Sequence, residues 1–156
     1  MAIWRKAADL GLPVSCFPRS AEHIADPAFQ QLVAEIPNMT LILEHLAGAY
    51  RPLSPPSVTA PYDWYKAALT LSRFPNTYIK FGGLGEFSVR PVPLAAQFDF
   101  TDVPPLMEMA YEAFGPKRMM WGSDYPPVGG REGYRNSLQG VMKHPVFKTR
   151  DDKDWA

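Results

Sequence analysis

The 156-residue sequence is long enough for one domain with a substantial core. Its 16 Lys and Arg balance 16 Asp and Glu, so neither a nucleic-acid partner nor a membrane surface is indicated by charge. One cysteine, Cys16, excludes an internal disulfide, and no stretch approaches the ~20 apolar residues of a membrane span or forms a signal-peptide core, so a cytoplasmic chain is expected.

Ile3, Trp4, Ala7, Ala8 and Leu10 recur at helical spacing, and Gly11 follows as a stop. Pro13 to Phe17 reads as a short strand holding Cys16, whose apolar neighbours suggest a structural thiol. Ser20 can cap a helix with Glu22 in its first turn. Pro27 splits that region, and Ala28, Phe29, Leu32, Val33 and Ile36 mark a second helix ending at Pro37. Thr40 to Glu44 is the strongest buried strand and delivers His45 at its carboxyl end. A Gly-, Pro- and Ser-rich segment, Leu46 to Pro61, follows as a long loop. Tyr62 to Phe74 is a helix with Trp64, Ala67, Ala68, Leu71 and Phe74 on one side, and Thr77 to Phe81 is the third strand. After Gly82 to Phe87 a second long loop runs to Asp102, and Val103 to Phe114 is a helix stopped by Gly115. Met119 to Trp121 form the fourth strand, and Tyr134 to Lys143 a last helix. The polar tail from Lys148 shows no terminating element. Alternating βα units of this size make a parallel α/β sheet.

Three residues carry candidate chemistry. His45 shares strand parity with Leu41 and Leu43; it is either satisfied by loop carbonyls or a metal ligand or acid/base group. Asp124 lies just past the fourth strand, at the end where ligands collect in α/β folds. It is either a cap before Pro126 or a carboxylate that binds metal or takes a proton from water. Lys80 is an unpaired charge within an apolar strand, so it faces a wet site or snorkels at an edge. Glu44 points away from His45 by parity, which favours pairing over ligation. Gly82 and Gly83 suggest close backbone approach at a strand end, and His23 and His144 read as surface residues.

The segments LILEHLAG (Leu41 to Gly48), FPNTYIKFGGL (Phe74 to Leu84) and FGPKRMMWGSDYPP (Phe114 to Pro127) together resemble the amidohydrolase-related family of metal-dependent TIM-barrel hydrolases, in the lactonase and decarboxylase branch. The resemblance implies that the four strands are the last four of a (β/α)8 barrel; an open four-stranded doubly wound sheet is the alternative. It further implies that residues 1–156 are one partial domain lacking the amino-terminal strands and the carboxyl-terminal end. His45 and Asp124 are the implied catalytic and metal-binding residues, with Lys80 binding substrate. The implied cofactor is a divalent metal, with Zn2+ the expected ion, although metal-independent members share the scaffold. The implied reaction is attack of activated water on a small lactone, amide or related carboxylated substrate. Non-oxidative decarboxylation on the same scaffold, or a catalytically incomplete self-associating module, are the alternatives. The family's first-strand His-x-His pair is absent. A half barrel exposes two unpaired strand edges, so a homo-oligomer or pairing with an amino-terminal half is expected.

Overall fold

The computed structural model describes residues 2–49, 59–87 and 104–155. The long loops expected to shape a pocket fall largely on residues 50–58 and 88–103, outside the described residues. Strands β1 (Val14–Cys16), β2 (Leu41–Leu43), β3 (Thr77–Phe81) and β4 (Met119–Trp121) form one parallel sheet in the order β1-β2-β3-β4. Each strand pairs with its sequence neighbour: Val14 with Leu41, Leu41 with Thr77, and Ile79 with Met119. This order decides between the two expected folds. A doubly wound sheet reverses its strand order at a switch point, whereas an unbroken order with right-handed crossovers puts the connections on one face. The sheet is therefore half of a barrel rather than a doubly wound sheet.

Burial follows from that one-sidedness. Leu41, Leu43, Thr77, Ile79, Phe81 and Met119 are buried. They join a core with Tyr65, Ala68, Leu69 and Leu71, and with Leu106, Met107, Ala110 and Phe114. The alternate residues Ile42, Tyr78, Lys80 and Met120 are half-buried, and Ser15 is exposed. These five mark the face that would line a barrel interior.

The helices are α1 (Ala2–Asp9), α2 (Ala21–Ala25), α3 (Pro27–Ala34), α4 (Asp63–Leu69), α5 (Leu106–Phe114), α6 (Tyr134–Met142) and α7 (Arg150–Trp155). Several depart from the sequence reading. In α1 only Ala8 is buried; Ile3 and Leu10 face solvent, and the helix meets α3 through the Trp4–Phe29 edge contact at 5.8 Å. Ser20 occupies the cap position of α2 but makes no side-chain cap bond, and its hydroxyl meets His23 Nδ1 at 3.3 Å instead. Asp26 does cap α3, accepting from the Ala28 N–H at 2.7 Å, with Pro27 at the first helical position. In α4 the inward residue is Tyr65, not Trp64, because the Tyr65 hydroxyl reaches the Leu106 carbonyl at 3.1 Å and can be buried without loss. The last turn tightens into a 3-10 helix over Thr70–Arg73. The tail is a helix after all. Asp152 accepts from the Thr149 N–H at 3.1 Å while Thr149 Oγ1 accepts from the Asp152 N–H at 3.0 Å, a reciprocal cap. Among the described residues, no helix is long and apolar enough to cross a membrane.

His144 is not the surface residue expected. Its side chain is 9% exposed, 3.9 Å from Glu108, and its Nδ1 accepts from the Val146 N–H at 3.3 Å. Burial disfavours the imidazolium and lowers its pKa, with Glu108 opposing in part. A histidine depressed on folding contributes stability above its unfolded pKa, which is lost as pH falls through that value toward the folded one. His144 therefore works to lower the midpoint of thermal unfolding between pH 7.5 and pH 5, and His144→Asn is expected to lose less, or gain more, stability than the parent over that range. Identical slopes in the two proteins would exclude this origin.

Candidate active site at the strand ends

The backbone ladder runs one residue beyond β2 and β4: Glu44 N–H donates to Cys16 O at 2.9 Å, and Gly122 N–H to Phe81 O at 2.9 Å. The chain then turns abruptly on both strands. His45, Leu46, Ala47 and Gly48 all have positive φ, from 49° to 82°, and Asp124 has φ 55°. Consecutive left-handed non-glycine residues cost about 1–2 kcal/mol each, and such strain persists where the surroundings over-determine it. Here Leu46, Ala47 and Gly48 are fully buried, and a Cβ on Gly48 would lie 2.7 Å from the Ser20 carbonyl carbon.

This turn overrides strand parity. Glu44, still extended, stands on the barrel-side face with Ser15 and Lys80, accepting from Ser15 Oγ at 2.7 Å and Lys80 Nζ at 3.2 Å. His45 swings back toward the same cleft, so Glu44 and His45 are not on opposite sides as the alternation suggested. The cleft, about 40 Å3, is bounded by Glu44, His45, Lys80 and Asp124 over Gly82 and Gly122. The three sequence-expected residues are thus brought to one mouth. Lys80 takes the wet alternative: it crosses Gly122, where a Cβ would lie 2.7 Å from its Cε.

Three buried residues behind the cleft were not anticipated. Glu86, fully buried, accepts from His45 Nδ1 at 3.0 Å. Arg131, 9% exposed, lies 2.9 Å from Asp124 Oδ2, 2.6 Å from Glu132 Oε2 and 3.5 Å from Glu86 Oε1. Gly82, Gly83 and Gly85 make the space for them: a Cβ on Gly82 would collide with the Glu86 carboxylate, and on Gly83 or Gly85 with that of Glu132. These glycines accommodate side-chain carboxylates rather than a passing backbone, which corrects the sequence reading. The readable signal was Glu86, the acid that follows Gly82, Gly83 and Gly85 directly at the end of the third strand.

Burial works against a charged His45, but the bond to Glu86 and the nearby Glu86, Asp124 and Glu44 carboxylates outweigh it and raise its pKa. Cys16 is pushed up by burial and by Glu44, as fits an inert thiol. Donor atoms of His45, Glu86 and Asp124 lie within 4.8 Å of one another. Four carboxylates, Glu44, Glu86, Asp124 and Glu132, pair with two basic side chains, Lys80 and Arg131. That negative balance and the His/Asp donors suit a divalent cation. Glu86 fits better behind His45 than beside it, since a carboxylate on the second ring nitrogen orients a ligating imidazole.

The amidohydrolase family model matches residues 1–143. An L-fucono-1,5-lactonase from Burkholderia ambifaria is 28% identical over 121 residues, covering 77% of this chain and 36% of that protein. Among solved structures, an amidohydrolase from Burkholderia multivorans with bound zinc superposes with a TM-score of 0.71 at 18% identity, over 97% of this chain and 52% of its own. Amidohydrolase 2 from Bifidobacterium longum subsp. infantis gives 0.65 at 24% identity, over 97% and 49%. The chain spans about half the length of the solved structures it matches.

Proposed function

The chain belongs to the amidohydrolase family, and on that premise we propose that it carries the carboxyl-terminal share of the active site of a hydrolase acting on a small lactone or related ester or amide. The observation that carries this reading is the convergence of His45 and Asp124 from two different strand ends on one cleft backed by Glu86 and Arg131. The lactonase relative supports the substrate class.

In this reading Asp124 accepts the proton of the water that attacks the substrate carbonyl and returns it to the leaving ring oxygen as the C–O bond breaks, giving a hydroxy acid. His45, a lining residue of the cleft, is held through Nδ1 by Glu86. Lys80 neutralises the carbonyl oxygen or a carboxylate of the substrate, and Glu44 steadies Lys80. His45 and Asp124 would hold a divalent ion, Zn2+ being the candidate; when bound, it supplies Lewis acidity and makes water a better nucleophile near neutrality. Two ligands fall short of a zinc site, which needs three from protein. The four strands would therefore work paired with four more, from a second copy or a complementary half.

Two measurements test this. Sedimentation of the purified chain is expected to show a species of twice 17.5 kDa, and a stable monomer at high concentration would overturn self-pairing. A pH-indicator assay with added Zn2+, over lactones, esters and amides, is expected to show turnover of lactones by the paired species. No turnover of any of them by a confirmed eight-stranded species would overturn the hydrolase.

A further inference from the structure

We propose that Arg131 is a positioning residue: a single buried guanidinium that fixes Asp124 directly and His45 through Glu86, setting the two groups in register. The inference rests on reading Asp124 and His45 as the working pair.

Arg131 lies seven residues past Asp124, beyond the 3-10 turn Pro127–Gly130, and returns beneath the cleft. Its Nη1 donates to Asp124 Oδ2 at 2.9 Å. This commits one of the two carboxylate oxygens. Its Nη2 lies 3.5 Å from Glu86 Oε1, while Glu86 Oε2 accepts from His45 Nδ1 at 3.0 Å. Its Nε donates to Glu132 Oε2 at 2.6 Å, and that fully buried carboxylate holds the guanidinium plane from behind. The rigid fork thus hydrogen-bonds two carboxylates, Asp124 and Glu132, and stands in ionic contact with a third, Glu86, a geometry that the flexible ammonium of lysine does not reproduce. Asp124 has a reason to need it. At φ 55° on an irregular turn, its side chain is 23% exposed, and no regular element fixes its rotamer.

The test needs neither metal nor substrate, so it stands apart from the hydrolase reading. In the full chain labelled with 13C and 15N, the three-bond N–Cγ couplings of Asp124 and His45 are expected to report one rotamer each. In Arg131→Met the Asp124 coupling is expected to move from the value of a single rotamer to the rotamer-averaged value, and in Arg131→Lys to move less. Val141→Ala, a core truncation away from the clamp, should leave it unchanged. A folded Arg131→Met chain whose Asp124 keeps one rotamer would overturn the proposal. Should Arg131→Met not fold, Arg131→Lys carries the same comparison. The Arg131 Nε–H of the unmodified chain is expected to exchange with solvent at least 100-fold more slowly than that of Arg150, and equal rates would also overturn the proposal. Failure of Zn2+ or lactone binding would count against the hydrolase alone.

Discussion

Asp124→Asn is expected to lower kcat for lactone hydrolysis about 1,000-fold in the paired protein, with KM changed by less than about threefold, the scale of a lost general base. The amide keeps an oxygen that Arg131 Nη1 can still reach, so the turn and the clamp persist while the proton acceptor is lost. A drop shared by kcat and kcat/KM would place the lost interaction in the transition state. His45→Gln serves as comparator. It removes the bond to Glu86 and leaves a buried carboxylate with Arg131 as its remaining ionic contact among the described residues. Initial rates with one lactone at constant pH check both variants, and an Asp124→Asn protein within tenfold of the parent would remove Asp124 from proton transfer.

Gly83→Ala is expected to cost about 3 kcal/mol or more, the cost of disrupting a buried charged pair combined with overpacking. The new methyl would collide with Glu132 Oε1 and approach Ser137 Oγ to 2.5 Å. Neither group can retreat to water, because Glu132 is 4% and Ser137 0% exposed. Moving Glu132 also strips Arg131 of its shortest ionic partner. Gly129→Ala is the matched control: a Cβ there meets nothing within 4 Å, and its φ is not positive, so it should be within about 0.5 kcal/mol of the parent. Urea unfolding of the three proteins measures the difference. A Gly83→Ala chain as stable as the control would mean that the carboxylate cradle can relax.

The strands were legible because burial on a parallel sheet demands apolar runs, and TLILE, TYIKF and MMW supply them with breakers on either side. Helix phase was less so. Trp64 and Tyr65 are both large and aromatic, and what selects Tyr65 is a carbonyl at Leu106, 41 residues away. The terminal helix was readable in principle from Thr149 and Asp152, but its apolar stripe is too thin to announce it. At the site, His45 and Asp124 stood out because a polar group at the end of an apolar strand has few other reasons to be there. Glu86, Arg131 and Glu132 did not, since their meaning lies in contacts between segments that only the closed fold juxtaposes. The facing of His45 relative to Glu44 was misjudged because alternation ends where φ turns positive, at His45.

The left-handed backbone at His45 and Asp124 also governs how any mutational scan of this site should be interpreted. Histidine and aspartate are among the side chains that enter this region most readily, together with asparagine, while alanine enters it reluctantly. An alanine at either position would report lost chemistry and imposed strain as one number. Asparagine, which accepts the same φ, removes the functional group and leaves the backbone preference nearly intact. The difference between the Asn and Ala variants then measures what the turn contributes, together, at position 124, with the bond to Arg131 that the amide oxygen keeps.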